Sequence, residues 1–360
     1  MKISVYAIAK NEEKFAHRWA RSMSEADEII VLDTGSEDKT VEILSSFPKV
    51  RVFREKVSPW RFDTARNMSL RKVSDDTDYC VCTDLDEIFT TGWRENLEKV
   101  LTEHPDRVSY RYVWSFNKDG SENTVFNLDK IHKRQGFIWT HPVHEVLTFT
   151  ENRQPITVFA DNVELQHYPD EKKSRGIYLP LLELSVKEAP EDDRNMHYLG
   201  REYMFYGRYD EAIRTFRKHL SLEGAKWKDE RCASLRYMAR CFQALKKPSE
   251  ALQCLLGACA EAPYLREPWM EAAEYFYKEK NYYGVITFVN EALKITKKTD
   301  TYITVSEYWG SKPYDLLSLA YYYTGDVSKA EENARTALTF SPYDERIRKN
   351  LIFFVSVKKP

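Results

Sequence analysis

Hydrophobic and polar positions along this chain follow two different rhythms. Through residues 2–89, short runs of β-forming residues trade places with stretches whose apolar positions recur every three or four residues. Residues 2–8 (KISVYAI), 28–33 (EIIVLD), 50–54 (VRVFR) and the run starting at Tyr79 (YCVC) read as strands. Between them, Phe15, Trp19 and Met23 mark a helix over 14–24. Val41, Leu44 and Phe47 mark one over 40–47, opened by Ser36 or Asp38. Ala65, Met68 and Val73 mark a third over 63–73. This alternation predicts a parallel, doubly wound sheet. From 105 to 168 the pattern is strand-like and aromatic, with Val108–Phe116 alternating, a turn at Asn117–Ser121, and 125–134 and 136–150 continuing the rhythm.

After Pro169 the period changes from two to that of a helix, which sets a boundary between residues 171 and 172. Residues 172–194 read as a connecting helix in spite of Pro180, and 195–360 as a run of helical repeats. The positions Ala212, Ala251, Val285 and Ala330 correspond, with gaps of 39, 34 and 45 residues. The pattern resembles tetratricopeptide (TPR) repeats of about 34 residues, with insertions in the first and third gaps and a capping helix over 343–357. Four such copies are enough to stack into a solenoid whose concave face takes a protein or peptide acceptor, or a second copy of the chain.

The candidate chemistry lies at the strand ends of the first half. Lys10, Asn11 and Glu12 follow the first strand, Asp33, Gly35 and Ser36 the second, and Asp84, Asp86 and Glu87 the fourth. Parallel strands share a direction, so these ends share one sheet edge, where open α/β sheets bind ligands. Strand alternation points Asp84 and Asp86 to one spot. Two convergent carboxylates repel unless a cation lies between them, and Mg²⁺ or Mn²⁺ with a diphosphate fits that need. Asp33 is placed to accept hydrogen bonds from a ribose or base. Further along, Trp139-Thr-His-Pro-Val-His-Glu145 brings His144 as a candidate ligand to the metal and Glu145 as a general base for the acceptor. Trp139 and His141 are candidates to stack on sugar, and His167 is a second candidate ligand.

The segments Ala9-Lys-Asn-Glu12, Asp27 through Val41, Ala65-Arg-Asn-Met-Ser-Leu70 and Thr83-Asp-Leu-Asp-Glu87 together resemble glycosyltransferase family 2, which has the GT-A fold. The resemblance covers about the first 100 residues. It implies an α/β GT-A domain, Rossmann-like with a mostly parallel sheet, followed here by an all-α TPR solenoid. It implies a donor pocket formed by Ala9, Asn11, Glu12, Asp33, Gly35, Arg66 and Asp84, with Asp33 on the nucleoside and Asp84 near the ribose or sugar. It also implies Asp86 on a Mn²⁺ or Mg²⁺ ion, a UDP-sugar donor, and hexosyl transfer with inversion, for which Glu145 and Asp84 are the catalytic candidates. The two-part architecture is similar to that of S-glycosyltransferases of the sublancin type, without fixing a cysteine or peptide acceptor.

Composition adds exclusions. With 54 basic against 56 acidic residues the chain lacks the basic excess of a nucleic-acid binder. The six cysteines form no CxxC pair and sit at apolar positions, as reduced thiols in a cytoplasmic protein do. No apolar run is long enough for a transmembrane helix. Two other readings compete: a catalytically inactive nucleotide-binding TPR scaffold, against which the intact Asp33, Asp84 and Asp86 speak, and a nucleotidyltransferase, which calls for a glycine-rich phosphate loop where this chain has Lys10-Asn-Glu-Glu13.

Overall fold

The structure, a computed structural model, describes residues 1–170 and 176–357. It forms two compact units, Met1–Glu188 and Ala189–Pro360. The boundary expected between 171 and 172 falls outside the described residues.

The first unit runs β1 (Ile3–Ala9), α1 (Glu13–Ser22), β2 (Glu28–Asp33), α2 (Thr40–Ser45), β3 (Val50–Arg54), α3 (Phe62–Lys72), β4 (Tyr79–Cys82) and β5 (Glu87–Phe89). It continues through α4 (Trp93–Leu101), β6 (Arg107–Phe116), β7 (Glu122–Lys133), β8 (Phe137–Thr140), β9 (Val146–Phe149), β10 (Thr157–His167) and α5 (Tyr178–Glu188). Among the described residues eight strands make one curled sheet in the order β3-β2-β1-β4-β7-β6-β10-β5. β3, β2, β1 and β4 are mutually parallel, as are β6 and β10. β7 and β5 run antiparallel to their neighbours.

The period of two in β1 divides its side chains between two cores. Ile3, Val5, Ala7 and Ala9 face one side and pack with Phe15 and Trp19 of α1 and Trp93 and Leu97 of α4. Tyr6 faces the other, with Leu70 of α3 and with Phe137, Trp139 and Leu147 of the β8–β9 hairpin. Burial on both faces explains why β1, β2 and β4 read as continuous apolar runs. Residues 136–150 depart from the sequence reading. They form a separate two-stranded sheet, not one continued strand. Pro142 has no N–H for a ladder, and His141 and His144 take φ of +75° and +51°, so the chain turns back over 141–145.

The second unit contains, among the described residues, α6 (Asp193–Phe205), α7 (Tyr209–Ser221), α8 (Lys228–Ala244), α9 (Pro248–Glu261), α10 (Arg266–Lys278), α11 (Tyr282–Lys294), α12 (Lys312–Tyr323), α13 (Val327–Phe340) and α14 (Glu345–Val357). These make four TPR-like pairs and a final helix. Close approach depends on small residues. Ala212, Ala251, Ala292 and Ala330 are fully buried, and a Cβ on Gly200 would lie 2.7 Å from the ring of Phe216. The longest insertion holds a 3-10 turn at Ser306–Trp309.

Candidate functional site

The parallel run of β1, β2 and β4 brings their C-terminal ends to one edge. The loops after β1 and β2 are laced together there. Ser36 Oγ accepts from the Asn11 backbone N–H at 2.9 Å, and Asn11 Oδ1 accepts from the Glu37 N–H at 2.8 Å. Thr40 Oγ1 accepts from the Glu12 N–H at 2.7 Å. The Ala9 carbonyl accepts from the Thr34 N–H at 2.9 Å. Gly35 stands at φ +117°, a conformation that favours glycine. The Asp33 carboxylate is fully buried and turned on its own loop, accepting from the Gly35 and Ser36 N–H groups at 3.2 Å, with Arg54 Nε 3.5 Å away.

The acidic turn differs from the strand geometry expected for it. β4 stops at Cys82, so Asp84 and Asp86 lie beyond the pleat and take different partners. Arg66 NH2 donates to Asp84 Oδ1 at 2.9 Å, and Lys130 Nζ lies 3.5 Å from Asp84 Oδ2. Asp86 Oδ2 lies instead 3.4 Å from His167 Nε2. Glu87 turns inward, accepting from Tyr112 OH at 2.7 Å and from the Asp84 backbone N–H at 2.8 Å, which fixes the shape of the turn. Burial pushes the Glu87 carboxyl up in spite of Lys130. Burial also works against the charge on Lys130, but Glu87 and Asp84 outweigh it and keep it protonated.

Arg66 is the hub. It is 4% exposed, not a helix-surface charge. Its guanidinium binds Asp84, the Glu145 carboxylate through Nε, and Cys82 Sγ at 3.3 Å. Burial opposes its charge, but Asp84 and Glu145 hold the guanidinium ionised. The His141–Glu145 loop therefore delivers Glu145 to the site. The histidine that lies against Asp86 is His167, whereas His144 lies with the ring of Tyr178 at 5.8 Å. The turn at Pro142 brings the His144 ring to Tyr178 of α5.

Trp139 is 3% exposed and donates from Nε1 to Tyr6 OH at 2.8 Å. It is a core residue and offers no face to a sugar. The exposed aromatic beside the acidic turn is Trp114, 47% exposed and stacked on the His167 ring at 4.3 Å. Sequence reasoning passed over both Trp114 and Lys130. The only signal for Lys130 is register: Val81 pairs with Ile131, which carries Lys130 to the end of β4.

In the second unit an open pocket of about 230 Å³ is lined by Arg240, Gln243, Glu271, Glu274, Tyr275 and Lys278 from α8 and α10. Arg236, buried, donates to Glu271 from Nε at 2.7 Å, and Arg240 NH2 does so at 2.8 Å. All six cysteines are buried free thiols. Among the described residues no helix is long and apolar enough to cross a membrane.

Residues 4–150 match the family model of glycosyl transferase family 2. Residues 267–359 match that of the prolyl 4-hydroxylase peptide-substrate-binding domain, a TPR family. Several solved structures align with part of the chain. One is MamA, at 15% identity over 46% of this chain and 84% of that one, TM-score 0.37. Another is pilF of Pseudomonas aeruginosa, at 13% identity over 50% and 72%, TM-score 0.37. A third is a thermophilic TPR protein of Thermus thermophilus, at 16% identity over 49% and 89%, TM-score 0.34. The chain thus joins a family 2 glycosyltransferase domain to a C-terminal TPR-like domain.

Proposed function

We propose that this family 2 domain is a metal-dependent, inverting hexosyltransferase that takes its sugar from a nucleotide-sugar, a UDP-sugar, and passes it to an acceptor. The observation that carries the reading is the meeting of Asp86 with His167 at 3.4 Å, next to the Arg66–Asp84 pair and past the ends of parallel strands. The donor set suits a divalent ion. His167 Nδ1 faces the Trp114 carbonyl at 2.9 Å, and a carbonyl only accepts, so Nδ1 carries a proton there and Nε2 is the nitrogen beside Asp86 that a divalent ion would take in place of its proton. One imidazole and one carboxylate favour Mn²⁺ over Mg²⁺. Asp86 and His167 would hold the ion, which when bound neutralises charge on the departing diphosphate.

The remaining roles belong to the chain's own groups. The laced loops of Ala9, Asn11, Glu12, Asp33 and Gly35 form the nucleoside side of the pocket, with Asp33 bracing Gly35 and Ser36. Arg66 and Asp84 border the donor sugar. Glu145 receives the acceptor's proton on the oxygen that Arg66 does not hold, and the acceptor attacks the anomeric carbon from the face opposite the diphosphate. Residues 1–171 carry this chemistry, and 195–360 bind the acceptor or a second copy of the chain. The polar pocket on α8 and α10, and the peptide-binding description of the family matched by 267–359, favour a peptide or protein acceptor.

The test is nucleotide release from a panel of sugar nucleotides, with Mn²⁺, Mg²⁺ or chelator, on wild type and Asp86→Ala. Release from one donor that needs metal and falls at least 100-fold in Asp86→Ala is expected. No release, together with no UDP binding by calorimetry with Mn²⁺ present, overturns the enzyme reading in favour of the scaffold.

A further inference from the structure

A second cluster of metal-ligating groups lies in the first two repeats, in residues that the glycosyl-transfer reading leaves unused. His197 comes from α6, His219 from α7 and Glu230 from α8, and all three are 3% exposed or less. Their ligand atoms lie within 4.8 Å of one another. Ser234, one helical turn after Glu230, stands between the two rings. Its Oγ lies 2.7 Å from His197 Nδ1 and 2.9 Å from His219 Nδ1. Both imidazoles therefore use Nδ1 on the serine, and each Nε2 is buried without a hydrogen bond. His219 Nε2 lies 3.4 Å from Glu230 Oε1. Glu230 Oε2 accepts from Tyr302 OH at 2.6 Å.

We propose that His197 Nε2, His219 Nε2 and Glu230 Oε1 bind one divalent ion of the Zn²⁺ class, tying α6, α7 and α8 together. Zinc takes imidazole nitrogen and carboxylate oxygen at about 2.0–2.2 Å, and a tetrahedral ion sets such ligands roughly 3.4 Å apart. One edge of the cluster, His219 Nε2 to Glu230 Oε1 at 3.4 Å, already has that length, and the others are no longer than 4.8 Å. With Nε2 on the ion, each Nδ1 carries a proton and Ser234 Oγ accepts both, the orienting contact that metal-bound histidines commonly have. Tyr302 restrains the carboxylate in the same way. A solvent oxygen completes the coordination.

The full chain, stripped with chelator, is titrated with Co²⁺ and then Zn²⁺. One equivalent of Co²⁺ should develop the strong visible absorption of a four-coordinate ion, which Zn²⁺ removes. At Zn²⁺ about 1,000-fold above Kd the melting temperature of the repeat unit should rise by roughly 8 °C or more. Asp86→Ala should keep this binding, which separates it from the glycosyl-transfer site. His219→Gln and Glu230→Gln should each weaken it by more than about 10-fold, and Ser234→Ala by about 10-fold with helix content unchanged. A wild-type chain that binds no Co²⁺, or whose binding is lost in Asp86→Ala and unaffected by all three repeat-unit variants, overturns the proposal.

Discussion

Replacing Arg66 by leucine tests the hub of the first unit. The guanidinium is 4% exposed and is shared by Asp84 and Glu145. Removing one partner of a buried ion pair costs about 3–5 kcal/mol, because the other charge stays buried without compensation. The two carboxylates are affected unequally. The Asp84 side chain is 35% exposed and keeps Lys130 at 3.5 Å. The Glu145 side chain is 11% exposed, and Arg66 is its ion-pair partner. Only Glu145 is stranded, which places the expected loss at the lower end, about 3 kcal/mol. Adding Glu145→Leu removes the stranded charge and should restore at least about 1 kcal/mol. Hydrogen exchange read by mass spectrometry on peptides covering β4 and the β8–β9 hairpin measures the opening free energy where the hub acts. Arg66→Leu costing under about 1 kcal/mol, or a double variant no more stable than the single one, would refute the reasoning.

Four further outcomes are expected. Gly200→Ala should destabilise the repeat unit by about 1–2 kcal/mol, since its Cβ would meet the Phe216 ring at 2.7 Å. Gly257→Ala on α9, with nothing nearer than 3.8 Å, should stabilise by about 0.5–1 kcal/mol, and melting curves of the two variants must therefore move in opposite directions. His132 is buried, with Nδ1 facing the Lys133 carbonyl at 2.7 Å and Nε2 facing Tyr6 OH at 2.9 Å, and burial pushes its pKa down to about 4. The unfolded chain takes the proton first, near pH 6.5, so its contribution falls as pH drops from 6.5 toward 4. The loss reaches about 2 kcal/mol at pH 5, and His132→Asn should remove that much of the pH dependence of unfolding. Trp114→Ala should raise the KM for donor or acceptor several-fold with a smaller change in kcat, through loss of the exposed ring beside Asp86.

The elements legible in the sequence are those whose burial imposes one period throughout. β1, β2 and β4 are covered on both faces and show as apolar runs, and the repeat helices show through fully buried alanines such as Ala212 and Ala330. The strand-end residues were legible as a group because parallel strands share a direction. Their partners were not. Arg66 meets Glu145 across 79 residues, and no local spacing encodes that contact. The same holds for Asp86 with His167, and for Lys130, whose position depends on the register of β7 against β4. The turn at Pro142 shows in the sequence, but the side to which it carries His144 does not.

The short turn between β4 and β5 also governs curvature. Four residues, Thr83 to Asp86, join two strands that stand four places apart in the sheet order. In a flat sheet that separation is about 19 Å, from four steps of roughly 4.8 Å. Five residue steps of fully stretched chain reach about 18 Å at most. The chain here is not stretched, because the Glu87 N–H donates to the Asp84 carbonyl at 3.1 Å. The sheet must roll until its outer strand comes back toward β4, and the turn is the tie-beam across that roll. The arc of the sheet and the placement of Asp84 and Asp86 are therefore a single mechanical quantity. Slack at this turn would unroll the sheet and scatter them together.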